Sequence, residues 1–359
     1  EAVHTLTHGL AVVEQFAGDR GLRQALEGQL RLARRAGQAH ELHLLTERLR
    51  FLFGVDPLPP SEARTLEQRC RDLWDQRRHL IECSGQDLGP EAEERIRRDL
   101  LDLTIIWPDL RVRLAARGEI RKARQEALEL LAEAEGVLGR SPILYHERHR
   151  HAQALGLHGE AETAARAAAE LAPRNAWEHY ALGRSLLRAG EIARAADAFR
   201  QALHLQPQAF WANFYSGLCA YRLERHGEAV AAFHACVVLA PQEPVCYYNR
   251  ALAHTALGST DQALRDYDRA LQLDPRLVGA TLNRGILQYR AKRYAAAMGD
   301  FQRALENGAD PAVAHYHLGL VHFAREEYAA ARASLQCALR YNPNHKAARD
   351  LLNHDRLAP

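Results

Sequence analysis

One spacing constrains this chain more than any other feature. Alanine recurs as Ala161, Ala195, Ala229, Ala263, Ala297 and Ala331, a step of 34 each time. Seven positions after each stand Ala168, Ala202, Cys236, Ala270, Ala304 and Ala338. Between the two small positions sits a large residue, Phe199, Phe233, Tyr267, Phe301 or Leu335, with Ala165 the small exception. Near the start of the units a second small position recurs as Gly183, Gly217, Ala251, Gly285 and Gly319. Proline closes five of the six units, at Pro173, Pro207, Pro241, Pro275 and Pro343. The units run without a gap over 142–175, 176–209, 210–243, 244–277, 278–311 and 312–345.

A fixed period of this length identifies one supersecondary unit repeated in tandem. Each unit reads as two short helices joined by a turn. The small residues let the two backbones approach, and the large residue fills the space beside them. Proline lacks an N–H and disfavours helix in the residue before it, so it ends the second helix. One hairpin cannot bury its own apolar face, so the units must stack into a solenoid. The pattern resembles the tetratricopeptide repeat (TPR) family over 142–345. The resemblance implies an all-α fold, a right-handed superhelix of helical hairpins. After the last unit, 346–359 reads as a capping helix from about Lys346 to His354 and a tail, covering the final apolar face with Ala347, Leu351 and Leu352.

The N-terminal region, 1–107, is helical by apolar spacing but carries no clean period. Helices are expected near 2–17, 19–36 and 38–53, then a proline-rich turn at 54–61. A long amphipathic helix carries Leu66, Cys70, Leu73, Trp74, Leu80 and Ile81 as far as Glu82, and 84–90 breaks it. Pro90 suits the first turn of the next helix, which must end or kink at Pro108. Trp74 and Trp107 are the expected anchors of this core. The stretch 118–139 looks like a second repeat helix, since Ala127 and Ala134 fall 34 before Ala161 and Ala168, so 108–141 reads as a degenerate unit. The stretches "RFLFGVDPLPP", "CRDLWDQR", "RRDLLDLTIIWPDLRVRLA" and "FWANFYSGLCAYRL" resemble the TPR-bearing region of bacterial serine/threonine protein kinases. No glycine-rich loop with a strand lysine, H-R-D or D-F-G motif is present. The resemblance therefore implies a non-catalytic regulatory or docking segment of a larger signalling protein.

Composition narrows the function classes. Hydrophobic residues make up 47% of the 359 and charged residues 26%, which is globular rather than disordered. A net charge of +2 argues against a dedicated nucleic-acid surface. The six cysteines form no C-x-x-C pair or zinc-finger spacing. Cys236 takes the place of a packing alanine, and Cys219 and Cys246 fall on adjacent first helices, where buried free thiols are expected. No apolar run reaches the ~20 residues a membrane span needs, and there is no signal-peptide pattern. Cytoplasmic placement is expected. The chain opens on Glu1, which reads as a piece of a longer protein.

In TPR arrays the first helices line a concave groove. The resemblance carries the groove positions onto Trp177, Tyr180, Arg184, Trp211, Phe214, Tyr215, Tyr221, Tyr248, Asn249, Asn283, Tyr289, Tyr316, His317 and Phe323. Aromatic residues dominate interface energetics, so the expected partner is a protein or peptide segment bound without a cofactor. A small-molecule substrate is not expected. Asn249 and Asn283 hold one position in consecutive units, where their amides would grip an extended main chain or bond between units. A basic carboxylate clamp is not expected, because Phe214, Leu218 and Gly279 stand where it needs polar or charged groups. The alternative reading is a structural subunit that uses the convex or N-terminal surfaces.

The densest titratable cluster is "YHERHRH" at 145–151. His146 and His151 are roughly 140° apart on a helix, so the three histidines cannot close around one metal. His146 with His149 alone would need ligands from elsewhere, and no metal is expected. His146 and Arg150 fall on the groove face. His149 stands where later units carry Gly or Ala, so the first hairpin must pack differently.

Overall fold

The computed structural model describes residues 3–7, 10, 20–51, 60–81 and 88–357. The chain divides into two compact units, 1–190 and 191–359, and all secondary structure among the described residues is helical.

Unit one contains α1 (Arg20–Phe51), α2 (Pro60–Asp75), α3 (Arg77–Ile81), α4 (Pro90–Leu114), α5 (Ile120–Leu138), α6 (Pro142–Leu155), α7 (His158–Ala169) and α8 (Ala176–Arg188). Its core joins Leu42, Leu45 and Leu49 of α1 to Leu66, Cys70 and Trp74 of α2, Leu100, Leu103 and Trp107 of α4, and Ile143 and Leu144 of α6. Both expected tryptophan anchors are buried there. Each indole N–H finds a carboxylate, Trp74 donating to Glu133 and Trp107 to Glu67, at 3.1 Å each.

Three expected boundaries change. The helices expected at 19–36 and 38–53 are one helix, α1, because Gly37 sits in its interior at only the ~1 kcal/mol that glycine costs a helix. The long helix expected to reach Glu82 is interrupted by a turn at Gln76, where the Gln38 amide donates to the Gln76 side-chain oxygen at 2.6 Å. The helix expected to stop or bend at Pro108 continues to Leu114. Proline costs a helix interior about 3 kcal/mol. Here Asp99–Leu110 is buried on every face, so packing of the whole segment outweighs the lost bond. The expected helix 2–17 is described only at 3–7 and 10, which are helical; most of the turn at 54–61 and of the break at 84–90 lies outside the described residues.

Unit two contains α9 (Ile192–Leu205), α10 (Phe210–Arg222), α11 (His226–Leu239), α12 (Pro244–Ala256), α13 (Thr260–Leu273), α14 (Val278–Arg290), α15 (Tyr294–Glu306), α16 (Pro311–Ala324), α17 (Tyr328–Tyr341) and α18 (Lys346–Leu352). The close approach inside each hairpin is measurable. A Cβ added at Gly217 would lie 2.8 Å from the Phe233 ring, at Gly285 2.8 Å from Phe301, and at Gly319 2.8 Å from Leu335. The spacing of the facing positions is the same in all three. The cap α18 buries Ala348 beside Ala331, Leu335 and Ala338, with Leu357 just beyond it.

The first hairpin solves the same contact with the sizes exchanged. Its second helix carries only Ala165 where the others carry a ring. His149 fills the space from the first helix, its Nδ1 2.9 Å from the carbonyl of Ala161. A second regularity joins the two helices of each hairpin. Gly156, Gly190, Glu224, Gly258, Lys292 and Glu326 all have positive φ, one in each repeat. A side chain at such a left-handed position costs about 1–2 kcal/mol, which glycine avoids.

Two outcomes follow. Lys292→Gly should raise the urea unfolding midpoint and Gly258→Lys should lower it, the latter by about 1 kcal/mol. Ala165→Phe alone should destabilise by about 1–3 kcal/mol through overpacking. Combined with His149→Gly it should recover part of that loss, a coupling of about 1 kcal/mol measured by double-mutant cycle.

Candidate protein-binding face

The first-helix face of unit one is not open. Tyr180 and Arg184 of α8 are buried, at 5% and 2% exposure. Arg184 donates to Asp102 of α4 at 2.8 Å and to the Tyr180 hydroxyl at 3.0 Å. Arg50 of α1 donates to the same Asp102 at 2.9 Å through Nε and to Asp99 at 3.0 Å. Burial opposes the charge on Asp102, but Arg50 and Arg184 outweigh it and hold the carboxyl below its ordinary range. The expectation of a partner-facing Tyr180 and Arg184 is thereby corrected. The chain's own α1 and α4 use these groups. Trp177 is half-buried against the same core.

The "YHERHRH" helix belongs to a second buried ion cluster in this unit. Arg150 donates to Asp109 at 2.5 Å and to Glu147 at 2.6 Å. Arg188 of α8 lies 2.7 Å from Asp109 and also pairs with Glu147. Arg150 is therefore not a groove residue, because its guanidinium is engaged inside the fold. The neighbouring guanidiniums hold the Glu147 carboxyl well below the usual range despite its burial. Asp109, Glu147 and His151 offer ligand atoms within 4.8 Å of one another, a grouping no histidine spacing signalled. Two carboxylates facing two guanidiniums are already neutralised, so a divalent cation would enter against both arginines. His151 is 1% exposed, and burial and Arg150 push its pKa down to about 4.

In unit two the aromatic residues divide by burial. Phe214 and Tyr215 are buried, at 0% and 1%. Phe214 meets Phe233 edge-on at 5.9 Å, and Tyr215 stacks on Phe199 at 5.6 Å. Asn249 is 4% exposed and donates to the Val245 carbonyl of its own helix at 2.8 Å. These three expected groove residues are core, because the small residues beside them pull the hairpins close enough to enclose them. Asn283 bonds its own helix at Gly279 and reaches the Tyr248 hydroxyl of the preceding unit at 3.3 Å. The two asparagines therefore make local and inter-unit bonds, and Asn249 forms no rung facing a partner.

Trp211, Tyr221, Tyr248, Asn283, Tyr289, Tyr316, His317 and Phe323 are half-buried. Trp211 leans on Phe214 at 5.9 Å. Tyr221, Tyr289 and Phe323 occupy one repeat position, and each meets the first turn of the following helix: His226 at 5.3 Å, Tyr294 at 6.0 Å and Tyr328 at 5.9 Å. Tyr316 packs on His345 at 4.7 Å, and His317 stacks on Phe301 at 5.2 Å. Burial pushes the His317 pKa down to about 4.

First and second helices are joined by ion pairs that the small and aromatic positions did not signal. Arg250 grips Asp266 with two bonds, of 2.7 and 2.6 Å, and Arg284 grips Asp300 with bonds of 2.9 and 2.6 Å. A signal was present, since both members of the second pair lie one repeat after those of the first. Cys219 and Cys246 are buried free thiols, as expected. The hydrogen-bonding neighbour of Cys246 is Cys236, and burial pushes the Cys219 thiol up to about 12.

The tetratricopeptide repeat profile matches the sequence twice, over residues 180–244 and 254–317. Over these residues the chain is built of tetratricopeptide repeats. It has the all-α solenoid hairpins of that family and their role as a protein–protein interaction scaffold. No curated protein matches the chain. Among solved structures, YrrB, "a TPR protein with an unusual peptide-binding site", is 21% identical over 49% of this chain and 91% of its own, with a TM-score of 0.45. PilF of Pseudomonas aeruginosa is 19% identical over 58% and 96%, with a TM-score of 0.47. The C-terminal part of a TPR protein from Cytophaga hutchinsonii is 15% identical over 69% and 98%, with a TM-score of 0.48. Among the described residues, no helix is long and apolar enough to cross a membrane.

The buried histidines make stability depend on pH. His151 and His317 titrate near their ordinary 6.5 when unfolded but near 4 when folded. The unfolded chain therefore binds more protons between those values, and stability falls as pH drops from about 6.5 to 4. The urea midpoint should decline across this window, and His151→Gln should flatten part of the decline.

Proposed function

We propose that this chain is a non-catalytic scaffold that binds a peptide or protein segment along the first helices of unit two. The observation that carries the reading is the set of half-buried aromatic residues at repeat positions, Tyr221, Tyr289 and Phe323, accompanied by Trp211, Tyr248 and Tyr316. Half-buried rings held by a neighbouring ring lose little freedom on binding and still offer apolar area. An extended segment or a partner helix fits such a surface. In unit one Tyr180, in the register of Tyr248 and Tyr316, is buried and accepts from Arg184, which also bonds Asp102, so the proposed face lies in unit two.

The resemblance of 1–141 and the repeats to the TPR-bearing region of bacterial serine/threonine kinases supports a regulatory or docking role in a larger cytoplasmic signalling protein. The residues of this chain supply partner recognition, and catalysis lies elsewhere in that protein. No nucleic-acid or small-molecule ligand is part of this reading.

The test is capture of partners from a bacterial lysate by the chain, followed by quantification of each against variants. Trp211→Ala and Tyr289→Ala, both at half-buried positions, should each weaken capture of a groove ligand by about tenfold or more, the loss typical of an aromatic anchor. Unchanged capture by both variants would reject the groove reading.

A further inference from the structure

A cleft of about 620 Å³ opens on a different face of α12 from Tyr248. Arg250 and Tyr248 are two positions apart, roughly 160° around the helix. The cleft is lined by His234 of α11, Arg250 and His254 of α12, and Gln262, Arg265 and Asp266 of α13. Two arginines thus face one carboxylate. Arg250 gives its Nε and one terminal nitrogen to Asp266, at 2.7 and 2.6 Å. Its other terminal nitrogen meets only the His234 ring, at 3.0 Å. Arg265 is exposed and has no ion-pair partner among the described residues. The His254 Nε2 lies 4.0 Å from Asp266, and its buried Nδ1 has no hydrogen-bond partner.

The next repeat provides an internal comparison. Arg284 stands one repeat after Arg250 and makes the same two bonds, to Asp300. Its third contact, however, is Asp268 at 2.7 Å, in the register of His234. Gly299 and Gln288 replace Arg265 and His254 there. One guanidinium faces two carboxylates, and its hydrogen-bonding edge is saturated by anions the chain supplies. One repeat earlier the same scaffold lacks that second carboxylate and adds a second arginine, with His254 in the lining. The position that Asp268 fills for Arg284 is, for Arg250, held by the His234 ring, which carries no carboxylate and which an anion can displace.

We propose that this cleft binds a phosphoryl group, either free phosphate or the phosphorylated side chain of a protein. Arg265 and the outward edge of Arg250 are its charged donors, with the His254 ring also in the lining. A phosphoryl dianion offers three acceptor oxygens at neutral pH, and paired guanidinium forks are the side chains that match it best. The volume exceeds what a bare phosphate fills, which leaves room for the flanking residues of a peptide. The site is separate from the aromatic face, so either can fail without the other.

The experiment is calorimetric titration of the full chain with inorganic phosphate, a phosphoserine pentapeptide and its glutamate counterpart. Saturable phosphate binding is expected. A phosphopeptide that binds more tightly than phosphate identifies a protein-borne ligand, and one that binds equally or more weakly identifies free phosphate. His234→Asp gives Arg250 the surroundings Arg284 already has, so the fold should tolerate it while phosphate affinity falls about 10-fold or more. Arg265→Gln, at an exposed position, should weaken binding several-fold with an unchanged unfolding midpoint. Absence of saturable binding by the wild-type chain, or equal affinity in both variants, overturns the site. A glutamate peptide that binds as tightly as the phosphopeptide overturns the phosphoryl assignment.

Discussion

Everything regular in this protein rests on one contact, a small residue on the first helix of a hairpin facing a large one on the second. Gly217 against Phe233, Gly285 against Phe301 and Gly319 against Leu335 bring the two backbones close. The large side chain then occupies the space that a side chain on the first helix would have needed. With the hairpin closed this way, its alanines Ala229, Ala263, Ala297 and Ala331 become fully buried. In the first hairpin the larger residue is on the other helix, with His149 in the register of the glycines and Ala165 in that of the rings. There His149 gains a bond to the Ala161 carbonyl.

Closing the hairpins also decides which aromatic residues remain available. Phe214 and Tyr215 are drawn into the core with Phe199 and Phe233, while residues at the ends of the first helices, such as Tyr221 and Tyr289, stay half-buried. In unit one the corresponding face is used internally. Asp102, fully buried, is shared between Arg50 and Arg184, and Glu147 is shared between Arg150 and Arg188. Removing one partner from such a cluster strands an uncompensated buried charge, at a cost of about 3–5 kcal/mol. These clusters therefore lock the N-terminal helices onto the first repeats.

Much of the repeat architecture was legible because it is written in volume, and volume at a fixed period can be read from a string. The hairpins, the proline stops and the cap came from that. Helix boundaries in 1–141 were less legible. Gly37 and Pro108 are breakers by local propensity, yet α1 and α4 run through them, since packing along a long buried segment outweighs a single unfavourable residue. The ion clusters were not legible at all. Asp102 and Arg184 lie far apart in the chain, and no periodicity relates them. The Arg250–Asp266 and Arg284–Asp300 pairs were readable in principle, as charged residues recurring in phase, but they carry neither the small nor the aromatic signature of the repeat.

Periodicity alone established the unit of construction and its all-helical class, because a recurring order of small, large and proline residues at this spacing admits a helical hairpin and its stacking. It also narrowed the histidine-rich stretch to an ordinary repeat helix, since helical geometry separates those side chains whatever surrounds them. Which side of each helix is closed was settled by tertiary packing. Burial depends on what packs opposite, and for Arg184 and Arg150 the distant carboxylates Asp102 and Asp109 come from α4, placed there by the chain's path and not by any local pattern.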